Sequence, residues 1–250
     1  MKNIYDNSFF FKEYKKTRAQ QINANNVLEN PIMKKMLPNV FDKTILDLGC
    51  GDGNMDKYFI SKGAKKVVAV DLSKKMIAEA KRINKSSNIE YLNLDMEDLS
   101  SVNETFDIVY SSLAFHYVEN FDKLIKQIYN LLKPNGVLIF SQENPLKTAL
   151  VYSGKEQKNK VEINGKRYQL LSDYLNEGER NKIWNKTEVT KFHRSFATII
   201  STLINNNFNL LEIKDSIPTS EALALSDKYK SEFDCPNFLF IKAKKYELKR

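Results

Sequence analysis

Between residues 43 and 141 the chain alternates two kinds of hydrophobic spacing. Short β-branched runs, TILDLG, VVAVD, IEYLNL, FDIVYSS and GVLIFS, read as strands. Between them apolar residues recur at helical spacing: Met76, Ile77, Ala80 and Ile83, then Leu124, Ile125, Ile128, Leu131 and Leu132. That alternation predicts an α/β fold, a doubly wound and mostly parallel sheet with helices on both faces. Right-handed crossovers then gather the loops that follow the strands along one edge, where open α/β sheets bind ligands. The first 40 residues read as charged helices that end near Pro38 and pack beside that edge. Residues 145 to 192 break the rhythm. They are Lys-rich, Asn-rich and aromatic, with Gly154, Gly165 and Gly178 as breakers, and they read as an inserted cap. Phe196, Ile199, Ile200, Leu203 and Ile204 then resume helical spacing, and NLLEI and FLFIKAKK supply two more strands.

Composition narrows this picture. With 250 residues, 42% hydrophobic and 28% charged, the chain is long and apolar enough to bury a core, which excludes whole-chain disorder, collagen and coiled coil. Cys50 and Cys235 are too few for a disulfide framework and lack the paired spacing of a zinc site, so no metal is expected and a reducing cytoplasm fits. No apolar stretch approaches the ~20 residues of a spanning helix, and MKNIYDNSFFFKEYKK lacks a signal core, so no membrane partner is expected. The net charge of +8 is spread along the chain without aromatic interleaving or a reading helix, which points to a solvated surface rather than a nucleic-acid face.

The sharpest local signal is ILDLGCGDGN, where a strand runs into Gly49, Gly51 and Gly53. Glycines there permit close ligand approach, and a helix starting near Asn54 aims its amides into the same space. Asp71 ends the second strand, where a carboxylate reaches a ribose diol, so a nucleoside ligand is expected. A dinucleotide site requires a third glycine where Asn54 stands, and Asp47 before the loop is poorly placed for a diphosphate. Asp47 is suited instead to organising the loop or facing a cationic ligand, which favours a ligand without phosphates.

ILDLGCGDGN, the acid in VVAVDLS, the NLDMEDL segment, FDIVYSSLAFHYV and LLKPNG follow one another in an order and spacing that resemble class I S-adenosylmethionine-dependent methyltransferases. The small-molecule branch is the nearest likeness, the ubiquinone/menaquinone-biosynthesis type with a methyltransferase-11-like domain. The resemblance implies a Rossmann-like, seven-stranded sheet whose last strand is antiparallel, with S-adenosylmethionine as cofactor and S-adenosylhomocysteine as product. It divides the chain into an N-terminal helical cover (1–40), a cofactor-binding core (41–144), a substrate cap (145–192) and a C-terminal completion of the core (193–250). By the same resemblance Gly49, Gly51 and Gly53 lie against the methionine moiety, Asp71 binds the ribose, Leu72 and Met76 flank the adenine, and Asp95 with Met96 meets its edge and face. Ser111 and Ser112 stand beside the sulfonium, and Tyr14 and Arg18, one turn apart, are candidates for the methionine carboxylate.

Methyl transfer by in-line displacement demands alignment and exclusion of water, and a general base only where the acceptor loses a proton. His116, in SSLAFHYV beyond the expected methyl position, is the candidate catalytic residue, with Tyr117 next to it. Further acceptor contacts are expected from Tyr152, Arg180 and Trp184 of the cap and from His193 and Arg194 where the chain returns to the core. Most cap aromatics, including Tyr168 and Tyr174, are expected to form the cap's own core. The expected activity is therefore methylation of a small molecule by a monomer or homodimer. RNA or protein as acceptor, or a non-catalytic cofactor-binding module, are the alternatives.

Overall fold

The computed structural model describes residues 3–20, 22–150, 160–184 and 186–246. In chain order its elements are α1 (Ser8–Ala19), α2 (Asn30–Met36), β1 (Thr44–Leu48), α3 (Asn54–Ser61), β2 (Lys66–Asp71), α4 (Lys74–Ile83), β3 (Ile89–Asn93), β4 (Phe106–Ser112), α5 (Phe121–Leu131), β5 (Leu132–Glu143) and α6 (Pro145–Thr148). There follow β6 (Lys160–Ile163), β7 (Lys166–Gln169), β8 (Gly178–Trp184), β9 (Thr187–His193), α7 (Phe196–Asn205), β10 (Phe208–Asp215), α8 (Ser220–Leu225) and β11 (Phe238–Lys245). Seven strands form one sheet in the order β10-β11-β5-β4-β1-β2-β3. Only β11 runs against its neighbours, pairing antiparallel with both β5 and β10. The doubly wound sheet with its antiparallel last strand is therefore present.

Alternation along the central strands explains the layering. On β1, Ile45 faces an apolar layer with Met33 and Met36 of α2, Phe59 of α3, Ala80 of α4 and Ala222 of α8. Leu46 and Leu48 face the other layer, built with Leu124, Ile125 and Ile128 of α5 and Ile199 and Leu203 of α7. Covered on both sides, β1 and β2 are buried almost end to end, as parallel central strands are. Two predicted core positions fall outside: Ile83 and Ile204, the last residues of their helical patterns, emerge to solvent where each helix leaves the sheet. Leu132, read as helical, begins β5 instead.

Residues 160 to 193 form two separate hairpins, β6–β7 and β8–β9, each pairing only within itself. Asn164 and Gly165 both adopt positive φ, the twist that a two-residue hairpin turn requires. Gly154 lies outside the described residues. Among the described residues no helix is long and apolar enough to cross a membrane.

The N-terminal segment is fastened to the core by Asp6. Its carboxylate accepts from Ser73 Oγ at 2.7 Å and from the amides of Lys75 at 3.1 Å and Lys74 at 3.4 Å, at the N-terminus of α4. Burial works against the charged form, but these donors prevail and hold the Asp6 carboxyl below its ordinary range, the sign expected of an acid at a helix N-terminus.

Gly53 turns the chain from the β1 loop into α3 with φ 75° and no room for a side chain. A Cβ there meets Tyr91 Oη at 2.3 Å and Asn84 Nδ2 at 2.6 Å, and Asn84 Nδ2 donates to the Gly53 carbonyl at 2.9 Å. Gly53→Ala combines a left-handed backbone with this clash, so denaturant unfolding should show a loss of about 1–3 kcal/mol. An unchanged midpoint would contradict the packing role.

Candidate active site

The β1–α3 loop and the ends of β2, β4 and β5 open onto one cleft of ≈ 1560 Å³, whose further walls come from α1, the segment leading into α2, α4, the stretch after β3 and the β8–β9 hairpin. Its floor is set by how β1 ends. The amides of Gly49 and Cys50 both donate to the Val70 carbonyl, at 2.8 and 3.0 Å, which pins the loop to β2. Gly49, at φ 78°, lies so close to the β4 loop that a Cβ would meet Ala114 Cβ at 2.5 Å. By contrast, a Cβ on Gly51 would meet no atom within 4 Å, so this part of the loop is open to the cleft.

Asp71 closes the arrangement. One carboxylate oxygen accepts the Gly51 amide at 2.9 Å and the other the Ser73 amide at 2.8 Å. Burial raises its pKa to about 6, although both amides favour the charged form. Beneath the loop, Asp47 and Asp56 are fully buried neighbours. Burial, and for Asp47 the second carboxylate beside it, raises both pKa values, Asp56 to about 7, so the pair retains a proton near neutrality.

Most of the expected cofactor positions meet on this wall: Tyr14, Arg18, Asp47, Gly49, Gly51, Asp71, Leu72, Met76, Asp95, Met96 and Ser112 all line the cleft. Two do not. Gly53 is a packing glycine behind the loop, against Tyr91 and Asn84. Ser111 points away, because neighbouring strand residues face opposite sides, and its Oγ donates to the Leu48 carbonyl at 2.7 Å. Arg18 Nη1 is buried and has no hydrogen-bond partner among the described residues. Burial carries the Tyr14 phenol up to about 12.

The acceptor positions divide more sharply. His116, Tyr117 and Trp184 line the cleft, whereas Arg180, His193 and Arg194 do not. Arg180 donates to the carbonyls of Glu179, Asp173 and Asn176 within its own hairpin region. His193 is buried between Thr148 Oγ1 at 2.6 Å and the Tyr174 carbonyl at 2.9 Å. Arg194 is spent on the carbonyls of Phe115, Val118, Glu119 and Phe192, with its guanidinium 5.1 Å from the Phe121 ring. These three hold the return to the core in place. Tyr152 lies outside the described residues.

Trp184 also packs edge-on against Phe10 and Tyr14 of α1, at centroid distances of 5.3 and 6.1 Å. Tyr168 is exposed, and the Tyr174 hydroxyl accepts from the Phe196 amide.

His116 is poorly suited to accept a proton. Burial, with the Lys191 ammonium nearby, drives its pKa down to about 3. Its Nδ1 accepts from the Glu143 amide at 3.3 Å, which leaves the ring proton of the neutral imidazole on Nε2. The ring is thus a hydrogen-bond donor into its surroundings, and the general-base role expected for it is not supported by its environment.

Several residues of the site escaped the sequence reading. Glu29 accepts from Ser112 Oγ and Ser141 Oγ, each at 2.7 Å, tying the turn before α2 to the ends of β4 and β5. Burial raises its pKa despite these donors. Glu143 forms an ion pair with Lys191, the side chains 19% and 7% exposed, and Lys182 lies on the same wall. A glutamate in a polar helix and lysines in a Lys-rich segment carry no local signal. Only Lys182, two residues before Trp184 and so on its face of a strand, was accessible to periodicity.

The sequence of residues 46–140 matches a family model described as a methyltransferase domain. A protein of unassigned activity from Haemophilus influenzae is 37% identical over 98% of this chain and 97% of its own. A solved structure of an S-adenosylmethionine dependent methyltransferase from Mesorhizobium loti is 31% identical, with TM-score 0.77 over 89% of this chain and 98% of that one. A structure from Listeria monocytogenes, provisionally described in the same terms, is 36% identical with TM-score 0.79 over 88% of this chain and 97% of that one. Relatives with named acceptors match less: a malonyl-[acyl-carrier protein] O-methyltransferase from Enterobacter lignolyticus is 35% identical, but over only 39% of this chain and 38% of its own. A tRNA U34 carboxymethyltransferase from Cellvibrio japonicus is 27% identical over 81% of this chain and 56% of its own.

The His116 environment has a direct readout. Nitrogen-15 NMR of the imidazole should show the neutral Nε2–H tautomer persisting on acidification to about pH 5, well below the ordinary histidine midpoint near 6.5. Titration of His116 between about pH 6 and 7 would contradict the burial argument.

Proposed function

The chain belongs to the S-adenosylmethionine-dependent methyltransferases, and from that premise we propose that it methylates a small molecule enclosed between the glycine loop and the β8–β9 hairpin. The observation that carries the reading is the Asp71 carboxylate, fixed by the Gly51 and Ser73 amides at the rim of an open glycine loop.

The residues present fit the cofactor. Asp71 retains oxygen lone pairs beyond those used by the two amides, as a ribose diol requires. Arg18 Nη1, buried in the cleft wall without a partner among the described residues, matches a carboxylate, and Tyr14 lies one turn away. Leu72, Met76 and Met96 supply apolar walls for the adenine, with Asp95 at its edge. Asp47 belongs to the buried pair beneath the loop and organises it.

When bound, S-adenosylmethionine supplies an electrophilic methyl group that is lost by in-line displacement. The chain's contribution is placement and exclusion of water. Ser112, oriented by Glu29, and Ala114 wall the cleft where β4 ends. Tyr5 and Tyr117, joined by a 3.1 Å hydroxyl contact, link α1's approach to the acceptor side. Packed against Trp184, α1 forms one wall of the cleft. His116 orients an acceptor as a donor through Nε2–H, without taking its proton.

Asp71→Ala should weaken S-adenosylhomocysteine binding in calorimetry by about 1.5–3 kcal/mol, the worth of a charge-assisted hydrogen bond. Affinity equal to wild type would remove the basis of the site. The pH dependence has a defined sign. Because the folded-state pKa of Asp71, about 6, lies above its unfolded value, the stability due to its retained proton exists at low pH and is lost as pH rises through 6. Ribose binding prefers the ionised form, so S-adenosylhomocysteine affinity should fall as pH drops below about 6. Incubating the protein with cell extract and labelled methyl donor then separates acceptor classes: protein-dependent label in a filtrate compound other than the donor and its breakdown products supports the small-molecule reading, and protein-dependent label retained on RNA or protein refutes it.

A further inference from the structure

Resting on the reading of the cleft as a methyl-transfer site, we propose that Glu29 is a positioning residue for the cofactor: acting through Ser112, it recognises the α-ammonium at the methionine end.

Glu29 ends the turn before α2 and is fully buried. A carboxyl in such a place needs donors, and it has them on one oxygen only. Oε1 accepts from Ser112 Oγ and Ser141 Oγ, each at 2.7 Å, whereas Oε2 is buried with no hydrogen-bond partner among the described residues. The two serines differ in what they face. Ser141 is buried, and its Oγ also accepts the Leu113 amide at 3.1 Å, so it is occupied within the protein. Ser112 lines the cleft.

The direction of the shared hydrogen bond decides what Ser112 offers there. An ionised carboxylate only accepts, so the Ser112 proton is spent on Glu29 and its oxygen presents lone pairs. Tyr110, the phenol beside it, is held protonated by burial and by the charges of Glu29 and Asp47, and its hydroxyl can take one of them. The other is left for a donor in the cleft. An acceptor backed by a buried carboxylate suits a cationic donor better than a neutral one.

The neighbouring charges leave that place for a ligand. Arg18 and Lys34 attract Glu29, and Asp47 repels it. Lys34 is exposed, its ammonium 4.8 Å from the Tyr58 ring centroid, and Asp47 belongs to the protonated pair beneath the loop. Arg18 has a buried Nη1 with no hydrogen-bond partner among the described residues. Neither cation overcomes burial, which still raises the Glu29 pKa, so the carboxylate gains from a further positive charge. An α-amino acid end carries a carboxylate and an ammonium on one carbon. Arg18 fits the first, and Ser112 with Glu29 behind it fits the second.

The test is calorimetry on the full-length protein with S-adenosylhomocysteine and its desamino analogue, in which hydrogen replaces the α-ammonium and the carboxylate is kept. Neither ligand carries a sulfonium, so the comparison isolates the ammonium. The wild-type protein should bind S-adenosylhomocysteine at least about tenfold more tightly than the analogue. Glu29→Gln keeps the size of the side chain and an oxygen for the two serine hydroxyls but removes the charge. It should bring the two ligands within about threefold by weakening S-adenosylhomocysteine, with the analogue bound as in the wild type. Ser112→Ala removes the contact itself and should narrow the gap in the same way, which keeps the test open if Glu29→Gln does not fold. Equal binding of the two ligands by the wild type overturns the proposal, as does a preference that survives either folded variant. A loss shared equally by both ligands also overturns it, as the mark of a purely structural role. Failure of S-adenosylhomocysteine itself to bind the wild-type protein is a different result, which removes the methyl-transfer reading beneath it.

Discussion

The Val70 carbonyl, accepting the amides of both Gly49 and Cys50, is the contact on which the cleft depends. It extends the parallel pairing of β1 with β2 one step beyond the last strand residues and then releases the chain into a turn. Because Asp71 follows Val70, the same contact sets the carboxylate at the height of Gly51, where the loop amide reaches it. Shifting β1 by one residue would exchange its two faces, sending Ile45 and Leu46 to the wrong layers, so the two apolar cores police the register that the site requires.

Electrostatics gives the cleft a direction. Carboxyl groups crowd the loop side, and part of their charge is suppressed by shared protonation beneath it. The hairpin side mixes the two signs, with Lys182 and Lys191 beside Glu179 and Glu188. Burial holds His116 neutral.

How much of this was legible in the sequence follows from the range of each interaction. β-branched runs located all seven strands of the sheet, and helical spacing located α4, α5 and α7 but not α8, because those patterns record which side of an element meets the core. The glycine loop and Asp71 were legible because a backbone turn and a strand end fix their places locally. Ser111 and Ser112 were adjacent in sequence, yet only one faces the cleft; strand alternation could have separated them. Arg180, His193 and Arg194 were misassigned because charge and aromaticity do not reveal whether backbone carbonyls wait nearby. Glu29, Glu143 and Lys191 became visible only when distant segments were brought together. The Asn164–Gly165 turn was the missed local signal, a hairpin cue treated as a simple break.

The β8–β9 hairpin forms hydrogen-bonded pairs only with itself and touches the core through side chains such as Trp184 and Lys191. Its backbone owes nothing to the register of the seven-stranded sheet. Divergence can therefore alter the hairpin's length or pairing without altering the pairing of the seven-stranded sheet. Selectivity in such a chain is free to drift on one wall while the other remains under constraint, which offers a physical route by which one scaffold acquires many acceptors.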